Sequence, residues 1–155
     1  MNQMNLEKIK QVVEEFFKNT GLDVEVKIER PQGSTIPINL KMAEPQILIG
    51  ERGYILSEVQ FLLKAVLRKR VEGVESPFYI NVDVNDYKKK KIEYLKEVAK
   101  NTADEVALSK REKYLPSMPP FERRVVHMEL ASRTDIVTES TGQEPERRIV
   151  IRAYP

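Results

Sequence analysis

Two glycines that precede a long amphipathic segment constrain the fold of this chain more than any other feature. The stretch ILIGERGYILSEVQFLLKAVLRKR, residues 47–70, places Gly50 and Gly53 between a short apolar run and a helix-like pattern. Glycine loses more conformational freedom on folding than any other residue, so it is costly inside regular structure. The pattern predicts a tight loop that opens a helix. We expect the apolar face of that helix to comprise Ile55, Val59, Leu62, Leu63, Val66 and Leu67.

The segments on either side of this loop complete one small α+β unit. Apolar residues recur at helical spacing from Leu6 to Phe17, and Gly21 follows where a helix C-cap is expected. Two alternating stretches, LDVEVKIERP and then Ile36 to Leu40, predict strands before the loop. The segment PFYINVDV, residues 77–84, predicts a third strand after the helix. The expected order is helix, strand, strand, glycine loop, helix, strand.

A second small unit restarts after residue 84. The segment NDYKKKKIEYLKEVAKNTADEVALSK predicts one linking helix of about 25 residues. EKYLP then predicts a short strand, and PPFERRVVHMELASR predicts a helix with prolines in its first turn. DIVTES and RRIVIRA predict a hairpin around TGQEPE. We therefore predict an α+β chain of two domains, residues 1–84 and 85–155, the second with helices on a small three-stranded sheet.

Composition excludes several kinds of site. The chain has no cysteine, which excludes disulfides, thiolate zinc sites and cysteine nucleophiles. No apolar run is long enough to cross a bilayer, and the N-terminal segment carries acids where a signal peptide is apolar. We therefore expect a cytoplasmic protein without a membrane-spanning segment. The net charge is only +2, so affinity for a polyanion must come from local placement of cations.

The glycine loop has the properties of an anion-binding site. A helix N-terminus exposes unpaired N–H groups and a partial positive charge, and glycines let a phosphodiester backbone approach closely. The alternative is that the two glycines only form a turn and a helix cap. The side chain of Tyr54 either stacks on a base or packs beside Pro45. The candidate binding residues here are Gly50, Glu51, Arg52, Gly53 and Tyr54.

The segment FERRVVHMEL contains the single histidine of the chain. Arg123 and His127 have i, i+4 spacing, which places them about 40° apart on one helical face, with Arg124 further round. The alternative is a histidine packed in the core. Glu122 and Glu129 lie far from His127 around the helix, so no acid–base pair converges. We therefore expect no enzyme, no metal site and no cofactor.

In this context both motifs resemble known domains. Residues Leu6 to Val84 resemble a K-homology (KH) domain of the bacterial type II order, whose Gly-x-x-Gly loop clamps about four nucleotides of single-stranded RNA. MPPFERRVVHMEL and ESTGQEPERRIVI resemble an R-three-H domain, named for its Arg-x-x-x-His and commonly followed by Ser-x-Gly-x-x-Pro-x-Arg. That second motif is matched by Ser140, Gly142, Pro145 and Arg147. The combination resembles the Jag family (SpoIIIJ-associated, EloR or KhpB).

The resemblance implies single-stranded RNA binding and bacterial post-transcriptional regulation linked to envelope growth or division. We also expect RNA binding to strengthen from pH 8 to pH 6, because an imidazole of ordinary pKa at His127 becomes increasingly protonated and then attracts a nearby phosphate. The alternative is an adaptor that pairs with another KH protein or a second copy. Two features depart from the family: Glu51 replaces the usual basic residue, and the common extra N-terminal domain is not recognised. The implied binding residues of the second domain are Arg123, Arg124, His127, Ser140, Gly142 and Arg147.

Overall fold

The computed structural model describes residues 3–73 and 78–155. The chain divides into two compact units, Met1–Lys88 and Lys89–Pro155. Each unit has its own three-stranded sheet and its own apolar core. The predicted α+β class is therefore confirmed. No helix in the described part of the chain combines the length and the apolarity needed to cross a bilayer.

The first unit follows the predicted order of elements. The strand expected from Pro77 begins at Tyr79, and Pro77 itself lies outside the described residues. β1 (Glu25–Ile28) pairs antiparallel with β2 (Thr35–Lys41), and β2 pairs parallel with β3 (Tyr79–Val84), so that Ile38 lies opposite Val82. The elements are α1 (Gln3–Thr20), β1 (Glu25–Ile28), β2 (Thr35–Lys41), α2 (Gln46–Ile49), a 3-10 turn (Glu51–Gly53), α3 (Tyr54–Arg70) and β3 (Tyr79–Val84).

The second unit also contains the predicted helices and hairpin. Its strands pair antiparallel in the order β4 (Lys113–Tyr114), β6 (Arg148–Ala153) and β5 (Ile136–Thr141). Its long helix begins at Tyr87, which belongs to the first unit and packs against the core of that unit. The elements are α4 (Tyr87–Ser109), β4 (Lys113–Tyr114), α5 (Pro120–Leu130), β5 (Ile136–Thr141) and β6 (Arg148–Ala153).

The two cores come from the apolar faces of helices packed on sheets. In α3, Leu56, Leu63 and Leu67 are buried, whereas Ile55 and Leu62 are exposed. The predicted core face of α3 was therefore partly wrong. In the second unit, the buried residues of α4 are Leu95, Ala99, Ala103 and Val106, and they share a core with Val126, Leu130, Ile149 and Ile151.

Candidate nucleic-acid interface

Both glycines of the loop are required by the local backbone and by packing. Gly50 has φ 68° and ψ −169°, a conformation that only glycine adopts readily. A Cβ atom on Gly50 would lie 2.5 Å from Cγ1 of Ile55. Gly53 has φ 77°, and a Cβ atom there would lie 3.3 Å from Cε1 of Tyr87. The fold alone therefore gives sufficient reason for Gly-x-x-Gly at this position.

The other residues of the loop point their side chains outward. Glu51 and Arg52 are exposed, and Arg52 has a left-handed backbone with φ 54°. Tyr54 is 61% exposed, so most of its ring is accessible. No side chain caps the N-terminus of α3 at Gly53. The loop therefore presents one cation, one anion, an accessible aromatic ring and a helix N-terminus without a side-chain cap.

Arg123 is turned into its own domain. It is 8% exposed, although arginine is rarely buried unless it is paired. Its Nη1 donates to the carbonyl oxygen of Met118 at 2.6 Å, and its Nη2 donates to Oε1 of Glu144 at 2.5 Å. The guanidinium thus joins α5 to the segment before it and to the loop between β5 and β6.

The ring of His127 is hydrogen-bonded to two hydroxyl groups of β5. Its Nδ1 lies 2.8 Å from Oγ1 of Thr138, and its Nε2 lies 3.0 Å from Oγ of Ser140. One ring nitrogen of a neutral imidazole donates and the other accepts, and a hydroxyl can take either role. Burial and the charge of Arg123 lower the pKa of His127. A lowered pKa reduces the protonated fraction of the imidazole, so the increase in binding expected from pH 8 to pH 6 should be smaller than an imidazole of ordinary pKa would give.

The remaining predicted residues of the second unit lie in two separate regions, the β5–β6 hairpin and a groove beside α4. Gly142 has φ 88° in the turn after β5, and its carbonyl oxygen lies 3.4 Å from Nη1 of Arg147, which donates to it. Arg123 and His127 face the β5–β6 hairpin, to which Ser140 belongs. Arg124 does not, because it lines a groove beside α4 together with Ile92 and Phe121. The structure therefore separates Arg124 from the other five predicted residues.

Comparisons with known proteins support the division seen in the structure. Residues 93–153 match the R-three-H domain. The chain is 34% identical over 148 residues to the RNA-binding protein KhpB of Clostridium symbiosum, covering 94% of this chain and 64% of that protein. The resemblance to the Jag family is confirmed. The chain is also 31% identical to KhpB of Lactiplantibacillus plantarum over 74% of its length, and 29% identical to KhpB of Bacillus subtilis over 76% of its length.

The chain spans 64%, 34% and 56% of the lengths of these three KhpB proteins, less than two thirds of each. The R-three-H match covers the second unit from Glu93 onward and includes the whole of α5 and the β5–β6 hairpin. Arg123 and His127 thus lie inside the matched domain. Within the described residues, no group of three or more His, Cys, Asp or Glu side chains could hold a metal ion.

Sequence reasoning missed the partners of the Arg-x-x-x-His pair. Thr138 was detectable, because it alternates with Ser140 along a predicted strand and therefore shares its face. Glu144 lies inside the Ser-x-Gly-x-x-Pro-x-Arg segment, but no pattern links it to Arg123, which is 21 residues away. Phe121 was also missed as a surface residue, since a phenylalanine in a short helix is usually assigned to the core.

Proposed function

We propose that this chain binds single-stranded RNA and acts as a cytoplasmic post-transcriptional regulator linked to bacterial envelope growth or division. The geometry of the Gly-x-x-Gly loop carries the proposal: two glycines at positive φ precede a helix without a side-chain cap, beside exposed Arg52 and Tyr54. The R-three-H match and the name of the relatives, RNA-binding protein KhpB, support RNA as the ligand.

At the loop, the phosphodiester backbone of the RNA approaches the glycines. The partial positive charge of the α3 N-terminus attracts a phosphate, and exposed Arg52 adds a full charge. Tyr54 stacks on a neighbouring base, a contact available to every base. Glu51 opposes these attractions, so the loop provides moderate affinity.

At the second unit, the hairpin contributes polar contacts more than net charge. The charge of Arg123 is compensated by Glu144, and His127 is neutral at pH 7 because its pKa is lowered. We assign His127 the role of holding the hydroxyl of Ser140 in place. Arg147, bonded only weakly at 3.4 Å, provides the cation that meets a phosphate.

The test of RNA binding is its salt dependence. Fluorescence anisotropy with a short single-stranded RNA should give a log–log slope near −3.5 if about five phosphates are contacted. That slope corresponds to a loss on the order of a hundredfold between 50 and 200 mM salt. Affinity that is absent at low salt, or independent of salt, contradicts the proposal. Crosslinking in cells, followed by sequencing of the attached RNA, tests the link to envelope or division transcripts.

A second candidate function is pairing with another KH protein. The observation that favours it is an apolar surface on α3, where Ile55 is 44%, Phe61 75% and Leu62 49% exposed. Exposed apolar patches often mark protein interfaces. This reading predicts that Phe61→Glu abolishes pairing with a small KH protein or a second copy in analytical ultracentrifugation. Pairing that is unchanged in Phe61→Glu would exclude this surface.

A further inference from the structure

A shallow groove lies between α4 and α5, and it has no role in the RNA contacts proposed for the glycine loop and the β5–β6 hairpin. Its apolar side chains are large and open to solvent: Phe121 is 61% and Met128 66% exposed. Both side chains lie on α5, seven residues apart, so they share one face of the helix. The groove is lined by Ile92, Lys96, Phe121, Arg124, Val125, Met128 and Glu129.

The edge of this groove is positively charged. Lys96 and Lys100 lie 3.8 and 3.0 Å from the same carboxylate, Glu129, so one anion faces two cations. Arg124 is exposed, and its side chain makes no hydrogen bond or ion pair with any residue in the described ranges. The groove therefore combines an accessible aromatic ring with an uncompensated guanidinium.

We infer that this groove is a second RNA contact, in which Phe121 stacks on a base and Arg124 binds an adjacent phosphate. The inference rests on the proposed function and adds a site on the opposite side of α5 from the hairpin. Aromatic rings and cations together are what single-stranded nucleic acid requires of a protein surface.

An RNA strand fits the groove better than an acidic peptide does. Charged residues are depleted in the cores of protein–protein interfaces, because their desolvation is costly. Phosphates, by contrast, are met by arginine and lysine at solvated edges. With Arg124 and Lys96 beside the apolar floor, a base and its phosphate match both parts of the groove.

Two single variants test this assignment by fluorescence anisotropy with a single-stranded RNA. Phe121→Ala should weaken binding about tenfold, the usual cost of one lost base stack. Arg124→Ala should make the log–log salt slope shallower by about 0.7, the value for one phosphate on a single strand. Tyr154→Ala and Arg111→Ala remove an exposed aromatic ring and an exposed arginine elsewhere, and should bind within twofold of the parent. Circular dichroism checks that each variant folds.

An abasic oligomer separates stacking from charge. Because it has phosphates but no bases, Phe121→Ala should bind it as the parent does, whereas Arg124→Ala should still show the shallower slope. The methyl resonance of Met128, assigned with Met128→Leu, should shift when RNA with bases is added to the full chain. These readouts locate the contact in the groove without relying on affinity alone.

Three outcomes overturn the inference. If the parent binds RNA and both groove variants bind within twofold of it, the groove is not a contact while the proposed function stands. If the Met128 resonance shifts with an acidic amphipathic peptide but not with RNA, the groove is a protein-docking surface. If the parent binds no single-stranded RNA, the groove assignment and the proposed function fail together.

Discussion

The Gly-x-x-Gly loop and the Arg-x-x-x-His pair use their motif residues in opposite ways. In the loop, the glycines serve the fold, because Gly50 and Gly53 pack against Ile55 and Tyr87, while the intervening side chains face solvent. In the second unit, Arg123 and His127 bond to their own domain. A motif therefore identifies residues that build a surface as well as residues that meet a ligand.

The difference predicts where substitutions damage stability. In the loop, we expect substitutions of Gly50 and Gly53 to lower the stability of the fold, and substitutions of Glu51 and Arg52 to leave it unchanged. In the second unit, Arg123 is sensitive because it is buried and its side chain is hydrogen-bonded, whereas Arg147 is tolerant because its side-chain hydrogen bond to Gly142 is long and exposed. Unfolding and RNA binding, measured on the same variants, distinguish the two kinds of residue.

The largest expected effect is at Gly50. Gly50→Ala should lower the free energy of unfolding by about 3 kcal/mol, because alanine is strained in this backbone conformation and its Cβ meets Ile55. Urea unfolding measures the loss. Gly21→Ala is the matched control: its φ is 76° and nothing lies within 4 Å, so we expect about 1 kcal/mol. Equal losses of stability at the two positions would show that the side chain of Ile55 moves away from the added Cβ atom at little cost in free energy.

The next effect is at Arg123. Arg123→Ala should lower the free energy of unfolding by about 2 kcal/mol, because it removes a charged hydrogen bond and leaves the carbonyl of Met118 without that donor. Arg147→Ala should change it by less than about 0.5 kcal/mol, as is usual for surface positions. An Arg123→Ala variant of unchanged stability that loses RNA affinity would contradict this account and indicate that Arg123 contacts RNA directly.

A smaller effect is the pH dependence of stability. His127 has a lowered pKa in the folded chain, so the unfolded chain binds more protons as pH falls below about 6.5. The melting temperature should therefore fall between pH 7.5 and 5.5, until the folded imidazole also protonates. His127→Gln should flatten this fall, since the chain has no other histidine. A melting temperature that rises over this range would mean that the pKa is raised.

The smallest effect concerns Glu51. Glu51→Lys removes a repulsion and adds an attraction toward phosphate, each modest for exposed groups in water. RNA affinity at low salt should increase by a few-fold, with no change in the urea midpoint. Weaker or unchanged binding in fluorescence anisotropy would indicate that residue 51 points away from the RNA.

The order of elements was predictable, because hydrophobic periodicity and turn residues act locally. The core face of α3 was not. Ile55 and Leu62 form one apolar row and Leu56 and Leu63 another, so spacing alone does not choose between them. The sheet makes that choice by burying Leu56 and Leu63. Leu62 and its neighbours remain exposed, and they form the surface proposed for a protein partner.

The candidate site was predictable only at the level of motifs. The sequence places Arg123 and His127 on one helical face, and the structure agrees. That this face turns toward the hairpin depends on Glu144 and Thr138, which the chain brings back by tertiary folding. The exposure of Phe121 depends equally on how α5 packs. Such contacts between distant segments are set by packing and leave no local pattern.

The most direct test of RNA binding at the loop is a double variant, Glu51→Asp with Arg52→Asp. Aspartate tolerates the left-handed backbone of Arg52 better than most residues, so the urea midpoint should stay unchanged. The added negative charge should lower the affinity for single-stranded RNA, measured by fluorescence anisotropy at low salt, by more than about threefold. A smaller loss in a variant that folds normally would contradict the claim that this loop contacts RNA.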